Sequence, residues 1–523
     1  MLELKERGKF TNFQRLFLKL KKNHYFGRLG KVFQANDYFY FLDTGTGKVA
    51  KVNENVYNVL KCFLEKDDFE SIFSLSLDAD RLISALEEIK LAVEKEHILS
   101  APLLEAMHGE AVSHLEDTVT TQMKGVTLEL TEECNLRCKY CIYHPTHPSY
   151  REFGKKHMSF ETAQKAIDML KKHSNEAEET IYIGFYGGEP LMNFDVLKNT
   201  IEYANSLFSN RNIQYNLTTN ATLLTREISD FLVEQKVTIT FSLDGPKDLH
   251  DENREFINGK GSFDETIKGI ERFVGACKNQ NVIPRFMVNI VVSGPDYKER
   301  YEKIDNFIKQ CTWYSDDIII RFNMVDEGPQ KSEYLLPQSE KEKEFTENMT
   351  ETLGEWSDDK TNDYTENDDI SSNATLNQDL IRIHKRQLVT KPTSQYSMNG
   401  CCVPGERKSY VSVTGDIFPC ERIGDHIPPL GNVNGGFDVQ KIKKYYVDDF
   451  IEKSKDACKN CWAINLCGLC YVNCYDEKGI NIDYKNNLCL YERFSLEKSL
   501  IRYHKILEKN PTRLEMFNEM EVF

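Results

Sequence analysis

The most constraining feature of the sequence is a group of three cysteines directly after a strand-like segment. The apolar run Gly125–Thr131 predicts a buried strand, and Cys134, Cys138 and Cys141 follow it in the text CNLRCKYC. Three thiolates this close in sequence cannot reach separate metals, but they can hold three irons of one 4Fe–4S cube. The fourth iron would then lack a protein ligand and could bind substrate, as open metal sites do.

The remaining cysteines support metal binding. The chain has 15 cysteines, and twelve of them fall in two regions. Cys62, Cys277 and Cys311 stand alone in apolar text and are predicted to be core residues. The N-terminus has no pattern of a secretory signal, so we expect a cytoplasmic protein. In that reducing compartment, clustered cysteines indicate metal ligands before disulfides.

Length and charge exclude several classes of protein. The chain has 523 residues, and at roughly 150 residues per domain this predicts several domains. No apolar run approaches the roughly 18 residues that a membrane span needs. The formal net charge of -16 disfavours nucleic-acid binding, which relies on a basic surface.

From about residue 124, strand-like segments alternate with helical ones. Such βα units predict a parallel sheet curled into a partial (β/α)6 barrel, with the active site in the loops at the carboxyl ends of the strands. The strand candidates are Gly125–Thr131, Thr180–Tyr186, Asn212–Thr218, Lys236–Ser242, Pro284–Val292 and Asp317–Phe322.

Further motifs follow the cysteine triad at successive strand ends. They are Gly187-Gly188-Glu189-Pro190, Leu217-Thr218-Thr219-Asn220-Ala221-Thr222 and Ser242-Leu243-Asp244-Gly245-Pro246, with His250 and Arg254 behind the last. In this combination, residues from about 124 to 325 resemble a radical S-adenosylmethionine (SAM) enzyme. The resemblance implies that the three cysteines ligate a 4Fe–4S cluster, and that its open iron chelates the amino and carboxylate groups of SAM.

The resemblance also implies a SAM site. Gly187 and Gly188 would allow close backbone approach, and Glu189 would complement the SAM ammonium. Asn220 and Ser242 would touch the ribose or methionyl part, and Arg254 would pair with the SAM carboxylate. Ordinary turns at strand ends are the alternative for these last three residues. Tyr140 could shield the cluster, whereas His144 and His147 are expected to be solvated.

The second cysteine region resembles the SPASM extension of radical SAM enzymes, which carries two auxiliary 4Fe–4S clusters. By this resemblance, the distal cluster is held by Cys458, Cys461, Cys467 and Cys489. The proximal cluster is held by Cys402, Cys420 and one of Cys470 or Cys474, and Cys401 or an open iron completes it. The pattern expects a cysteine after three residues beyond Cys467, but here the intervals are two and six.

Zinc or disulfides are the alternative for this region. Zinc ribbons separate their CxxC pairs by about 15–20 residues. The interval of five residues between Cys461 and Cys467 is too short for that fold.

The first hundred residues predict a small module of strands and helices. Asp37–Asp43 and Lys48–Val52 form a hairpin pattern, and Asn53 could cap a helix to about Leu64. A further helix is predicted around Arg81–Glu94. This winged-helix-like module resembles the leader-peptide recognition domain of enzymes that modify ribosomally made peptides. There an extended leader would add a strand near Asp37–Asp43, facing Val56–Phe63. A dimerisation or packing module is the alternative.

The order of the modules resembles peptide maturases that install thioether bridges, the sactipeptide and ranthipeptide synthases. The expected domains are a recognition domain at 1–105, a radical SAM barrel at 120–330, an acidic linker at 331–394 and a SPASM domain at 395–523. The resemblance implies that the reduced cluster cleaves SAM to a 5′-deoxyadenosyl radical. This radical takes a hydrogen from the peptide, a cysteine thiolate bonds to that carbon, and an auxiliary cluster takes the surplus electron.

The implied partners are a precursor peptide with a leader and an electron donor such as flavodoxin or ferredoxin. Three alternatives stay open at this point. One is an anaerobic sulfatase maturase, which uses the same barrel and clusters but lacks the leader-binding module. A second is a peptide maturase that forms carbon–carbon bonds or epimerises residues. The third is a non-catalytic Fe–S electron carrier or peptide-binding scaffold.

Overall fold

The structure, a computed structural model, describes most of the chain. The described residues are 7–107, 110–144, 151–177, 179–293, 297–315, 318–324, 379–396, 402, 404–406, 408–424, 427–470, 474–476 and 479–518. Cys401, His147 and most of the predicted acidic linker lie outside these ranges. None of the helices formed by the described residues is long and apolar enough to cross a membrane.

The N-terminal part of the chain is a small antiparallel sheet with helices before and after it. The strands pair in the order β1–β2–β3. The bounds are α1 (Thr11–Lys21), β1 (Gly30–Ala35), β2 (Tyr38–Asp43), β3 (Val49–Val52), α2 (Glu54–Lys66) and α3 (Ala79–Glu96).

The predicted hairpin and both predicted helices of this part are confirmed. Strands β2 and β3 pair antiparallel, with Phe39 opposite Val52. Asn53 caps α2, because its side-chain oxygen accepts a hydrogen bond from Val56 N at 3.0 Å. Helix α1 is not predicted from the sequence, and it buries Phe17 against this module.

The predicted pairing edge at Asp37–Asp43 is wrong. Strand β2 lies between β1 and β3, and it pairs with both of them along its length. A strand whose backbone groups bond on both sides cannot add a further strand. The outer edges that this sheet offers, within the described residues, are those of β1 and β3.

The six predicted strands of the barrel are confirmed. They form consecutive parallel neighbours, and apolar residues of these strands make up much of the largest core. The strands are β4 (Gly125–Glu129), β5 (Thr180–Tyr186), β6 (Asn212–Thr219), β7 (Thr238–Ser242), β8 (Phe286–Val292) and β9 (Ile319–Met324). The helices are α4 (Glu110–Ser113), α5 (Leu115–Thr121), α6 (Phe160–His173), α7 (Phe194–Leu207), α8 (Arg226–Glu234), α9 (Lys247–Asn253), α10 (Phe263–Asn279) and α11 (Tyr297–Gln310).

The C-terminal part extends the same sheet beyond β4. Its first strand pairs parallel with β4, and three antiparallel strands follow. These strands are β10 (Lys408–Val411), β11 (Asp416–Phe418), β12 (Gly431–Asn432) and β13 (Gly436–Phe437). Strands β14 (Tyr475–Asp476) and β15 (Gly479–Ile480) form a separate two-stranded sheet. The helices are α12 (Val439–Ile442), α13 (Asp449–Cys458) and α14 (Ile482–Lys509), with a π-helical turn at Lys443–Asp448 between the first two.

A buried ion pair fastens the C-terminal part to the barrel. Arg151 donates to Glu129 Oε1 at 3.1 Å and to the backbone oxygen of Ile423 at 3.0 Å. The other oxygen of Glu129 accepts a hydrogen bond from Val413 N at 3.2 Å. Because both charged side chains are buried and hydrogen-bonded, removal of either would leave an unpaired charge inside the protein.

The N-terminal sheet and helix α14 share one core. Phe33, Tyr40 and Leu42 of the sheet lie in the same buried cluster as Leu496 and Leu500 of the helix. A chain that lacked the first hundred residues would therefore expose these helical side chains to water. The N-terminal module is built into the packing of the cysteine-rich region.

Helix α10 lies directly against the turn that follows β6. A Cβ atom at Gly269 would come within 2.0 Å of the backbone oxygen of Ala221, whereas a Cβ at Gly275 of the same helix would meet nothing within 4 Å. The two glycines therefore form a matched pair, one in a close helix contact and one in open space.

We expect opposite effects from alanine at these two positions. Gly269→Ala should lower the free energy of unfolding by about 1–3 kcal/mol, because the helix must move away from the turn. Gly275→Ala should raise it by up to about 1 kcal/mol through helix propensity alone. Urea unfolding of the full chain measures both changes, and equal effects of the two substitutions would contradict the described packing.

Candidate active site

One cavity lies at the carboxyl ends of the barrel strands. It has a volume of about 250 Å³ and is lined by all the residues that the sequence predicts for the radical SAM cluster and for SAM. Parallel strands bring their following loops to one edge of the sheet, so motifs far apart in sequence meet here. These residues are Cys134, Cys138, Cys141, Gly187, Gly188, Glu189, Asn220, Ser242 and Arg254.

The cysteine loop is held by the segment that follows helix α9. Arg137 N donates to the Glu255 backbone oxygen at 2.7 Å, and Lys139 N donates to that of Asn253 at 3.1 Å. Leu136 forms a β-bridge with Phe256, and both contact the cysteines in a small apolar cluster. The thiols therefore project from a fixed loop with an apolar surround.

Two glycines let the end of β5 pack against the start of this loop. Gly188 N donates to the Thr131 backbone oxygen at 2.8 Å, and Glu189 N donates to that of Glu133 at 2.9 Å. A Cβ at Gly188 would lie 2.2 Å from the Glu133 oxygen. Gly187 has φ +138°, a conformation that other residues rarely adopt. Larger residues at these positions would push the turn away from the cysteines.

Glu189 is buried beneath the cavity and is bound by three donors. Its Oε1 accepts hydrogen bonds from Thr219 Oγ1 at 2.8 Å and Leu191 N at 3.1 Å, and its Oε2 accepts from Asn220 N at 2.9 Å. Burial raises the pKa of this carboxyl to about 7, although the hydrogen bonds oppose the shift. A cationic ligand would therefore find a carboxylate that water screens poorly.

Asn220 and Ser242 line the cavity in different states. The Asn220 side chain donates to Asn135 Oδ1 at 2.9 Å and accepts hydrogen bonds from Thr222, so it ties β6 to the cysteine loop. The Ser242 hydroxyl has no hydrogen-bond partner among the described residues. Ser242 is thus open to a ligand, whereas the Asn220 amide is already bound within the protein.

Arg254 is bound mainly to a carboxylate of the protein. Its Nε and one terminal nitrogen donate to the two oxygens of Asp244 at 2.9 and 3.1 Å, and the same carboxylate accepts from Tyr140. The other terminal nitrogen lies 4.0 Å from Cys138 Sγ. Of the three guanidinium nitrogens, only this last one faces the cysteines. The pairing with the SAM carboxylate that the sequence predicts would have to use this nitrogen.

The thiols of the triad fit a buried cluster. Burial raises the pKa of Cys141 to about 12, and it raises the pKa values of Cys134 and Cys138 as well. Such thiols stay protonated without a metal and lose their protons when one binds. Three thiols that line one cavity, an apolar surround and an Arg254 nitrogen facing a sulfur suit an anionic Fe–S cluster.

The second cysteine group lies between α13 and the start of α14. Burial raises the pKa of Cys458 to about 11, and the neighbouring Cys461 and Cys489 raise it further. Burial also raises the pKa of Cys467, where Glu492, Cys461 and Cys489 act in the same direction. The structure thus places the four cysteines predicted for a distal cluster within electrostatic reach of one another.

The cysteines predicted for a proximal cluster are only partly brought together. Burial raises the pKa of Cys420 to about 12, and both Glu421 and Cys470 add to the shift. Cys474 is fully buried, and its thiol donates to the Cys470 backbone oxygen at 3.4 Å. Cys402 is exposed. Cys470 is therefore the thiol that the structure places near Cys420.

No group of three or more Cys, His, Asp or Glu side chains converges closely enough to hold a single metal ion within the described ranges. That measure concerns one ion. A four-iron cube binds each thiolate at a separate iron, so its cysteines lie farther apart than the ligands of a single ion.

Comparison with known proteins identifies the central domain. Residues 128–308 match the model of the radical SAM superfamily. The chain carries a radical SAM domain. This family uses a 4Fe–4S cluster together with SAM, and the three cysteines at the end of β4 fit that cluster.

Several proteins similar to this chain are modifying enzymes. The cysteine-type anaerobic sulfatase-maturating enzyme of Clostridium novyi is 24% identical over 369 residues, which cover 68% of this chain and 89% of the relative. The radical SAM cyclopropyl synthase TigE of Paramaledivibacter caminithermalis is 26% identical over 405 residues, which cover 73% and 76%. The solved structure of native anSMEcpe with bound AdoMet shares the fold, with a TM-score of 0.50 at 22% identity over 76% of this chain and 100% of that one.

Several residues of the site are not assigned by sequence reasoning. Asp244 neutralises Arg254, Thr219 and Leu191 hold Glu189, and Asn135 anchors Asn220. Asp244 and Thr219 lie inside motifs that the sequence analysis quotes, but their polar roles depend on contacts between different strands. For the pair of Asp244 and Arg254, the sequence offers only an aspartate ten residues before an arginine.

We expect the affinity for SAM to depend on the protonation of Glu189. The carboxyl is neutral below its pKa of about 7, and a neutral carboxyl is a weaker hydrogen-bond acceptor for the SAM amino group than a carboxylate is. Affinity should therefore fall as the pH drops below that value, by up to about tenfold per pH unit. Equilibrium dialysis of labelled SAM against the reconstituted enzyme measures this. Glu189→Gln should weaken binding at high pH and flatten the profile, and an unchanged slope in that variant would contradict the assignment.

Proposed function

We propose that the protein modifies a ribosomally made, cysteine-containing precursor peptide and forms thioether bridges between cysteine sulfur and carbon. The observation that carries this proposal is the union of three parts in one packed structure. A cavity with the radical SAM motifs lies at one end of the barrel, and buried cysteine groups follow the barrel in the sequence. The N-terminal sheet, which resembles a peptide-recognition module, shares a core with α14.

When bound, the 4Fe–4S cluster and SAM supply a 5′-deoxyadenosyl radical that takes a hydrogen atom from the substrate. The chain's own residues bind and orient the cofactors. Cys134, Cys138 and Cys141 would hold the cluster, and Glu189 would accept a hydrogen bond from the SAM amino group. Ser242 would offer its open hydroxyl to the ligand.

The second cysteine region is proposed to hold two auxiliary clusters. Cys458, Cys461, Cys467 and Cys489 suit one of them, because their thiols influence one another and lie beside α14. For the other, we propose Cys420 with Cys470 rather than Cys474, since Cys470 is the thiol that acts on Cys420. The domain boundaries predicted from the sequence, 1–105, 120–330, 331–394 and 395–523, are retained in this proposal.

For the leader of the peptide, we propose the outer edge of β1. A groove of about 620 Å³ borders Gly30, Lys31 and Val32 of this strand and reaches Cys489 of the second cysteine group. The opposite edge is partly covered, because Val389 N donates to the Thr46 oxygen just before β3. An extended peptide in this groove would pair with backbone groups of β1.

The relatives favour a second candidate. This candidate is sulfatase maturation, because a sulfatase-maturating enzyme matches 68% of this chain. The shared core of the N-terminal sheet and α14 favours the peptide maturase, because that sheet offers a strand edge and a groove for a leader. An electron donor such as flavodoxin or ferredoxin would reduce the radical SAM cluster in either case.

We expect modification of a small cysteine-containing peptide encoded beside the gene. The full enzyme, reconstituted and supplied with SAM and a reductant, should remove two hydrogen atoms per bridge and one free thiol per bridge, as measured by mass spectrometry with thiol alkylation. Cys138→Ala is the matched control and should give neither product nor SAM cleavage. Loss of hydrogen with all thiols retained would indicate carbon–carbon bonds and would contradict the thioether proposal.

A further inference from the structure

Helix α14 carries a buried lysine into the second cysteine group. Lys485 is 2% exposed, and it lies one helical turn before Cys489, so both side chains share a face of the helix. Its Nζ is 3.7 Å from Cys489 Sγ and 3.9 Å from Cys458 Sγ. In the part of the chain that the structure describes, these two sulfurs are the hydrogen-bond acceptors of this ammonium.

The charge of Lys485 has no carboxylate partner among the described residues. The Phe450 ring lies 5.6 Å from Nζ and supplies only a weak cation–π contact. A buried ammonium without a counter-ion is costly, and neutral thiols are weak acceptors. An anionic cluster on these thiolates would be the missing counter-ion.

The neighbouring charges do not cancel this cation. Arg493 lies beside the Cys461 thiol and adds a second positive charge. Glu492 lies beside Cys467, and Arg382 lies 3.7 Å from Glu492 and 3.3 Å from Asp379. With Lys485 and Arg493, these groups comprise three cations and two carboxylates. The surroundings of the distal group are therefore positive in sum.

Beside each of the other two cysteine groups, a cation has a carboxylate partner. Beside the triad, Arg254 is neutralised by the two oxygens of Asp244. Beside Cys420, Glu421 is paired with Lys408 at 2.6 Å. Lys485 differs from these cations because, among the described residues, its ammonium has thiol sulfurs as hydrogen-bond acceptors. Its charge would therefore act directly on the distal cluster and favour an additional electron there.

We propose that Lys485 makes the distal auxiliary cluster the electron acceptor of the reaction. This inference rests on the proposed function, which supplies the cluster and the electron. For each bridge, a hydrogen atom passes from carbon to the 5′-deoxyadenosyl radical, the thiol loses a proton, and a carbon–sulfur bond forms. One electron remains, and it passes to the distal cluster. A one-electron carrier then takes this electron from the cluster.

The test is a redox titration of the auxiliary clusters, followed by electron paramagnetic resonance. The full chain with Cys134, Cys138 and Cys141 changed to Ala serves as the parent, since only auxiliary signals remain. Lys485→Met removes the charge at similar length, and Lys485→Arg keeps it. Lys498→Met changes an exposed lysine of the same helix and is the matched control.

We expect Lys485→Met to lower the midpoint potential of one auxiliary cluster by at least about 59 mV, which is a tenfold loss in its equilibrium constant for one-electron reduction. The other couple should not move, and neither couple should move in Lys485→Arg or Lys498→Met. Two unchanged midpoints in a Lys485→Met protein that keeps its iron would overturn the proposal.

The iron content decides the case in which Lys485→Met loses the cluster. If Lys485→Arg keeps the cluster at the parent midpoint, the charge is what the site needs, and the proposal stands. If Lys485→Arg also loses it, the lysine acts by shape, and the proposal is wrong. If the parent shows no redox signal of an auxiliary cluster, the cluster assignment itself is wrong. If the enzyme fails to modify a peptide, the proposed function fails, but the effect of Lys485 on the midpoint potential is still measured.

Discussion

The site depends on the contact between the turn after β5 and the start of the cysteine loop. Two backbone hydrogen bonds make this contact, from Gly188 N to Thr131 and from Glu189 N to Glu133. They fix the carboxylate of Glu189 and the thiol loop in one frame, and β6 joins that frame through Asn220. Because a Cβ at Gly188 would collide with the loop backbone, the glycines are required for geometry before any ligand arrives.

Buried ion pairs join neighbouring parts of the fold close to the cysteines. The buried pair of Arg151 and Glu129 joins β4 to the strands beyond it, and the pair of Arg254 and Asp244 closes the cavity near Cys138. In each pair, two opposite charges are buried in contact with each other, so the pair carries little net charge. Lys485 departs from this pattern, because its acceptors are sulfurs. The two ion pairs stabilise the fold, whereas Lys485 would change the reduction potential of a cluster.

Much of the barrel could be predicted from the sequence because its strands are short apolar runs between helices with clear caps. Ser159, for example, caps α6 through a hydrogen bond to Thr162 N. The pairing edge at Asp37–Asp43 could not be predicted correctly, since strand order depends on where β1 docks. The commitment of Arg254 to Asp244 and the burial of Lys485 against two thiols likewise depend on packing between distant segments. These failures concern contacts between elements, whereas the elements themselves follow local rules.

The proposed function requires that this chain hold one radical SAM cluster and two auxiliary clusters. The most direct measurement is iron and sulfide per chain after anaerobic reconstitution, with and without the change of Cys134, Cys138 and Cys141 to Ala. Three four-iron clusters require about twelve irons, falling to about eight in the variant. About four irons falling to none would contradict the account, because the thioether chemistry would then lack an electron acceptor.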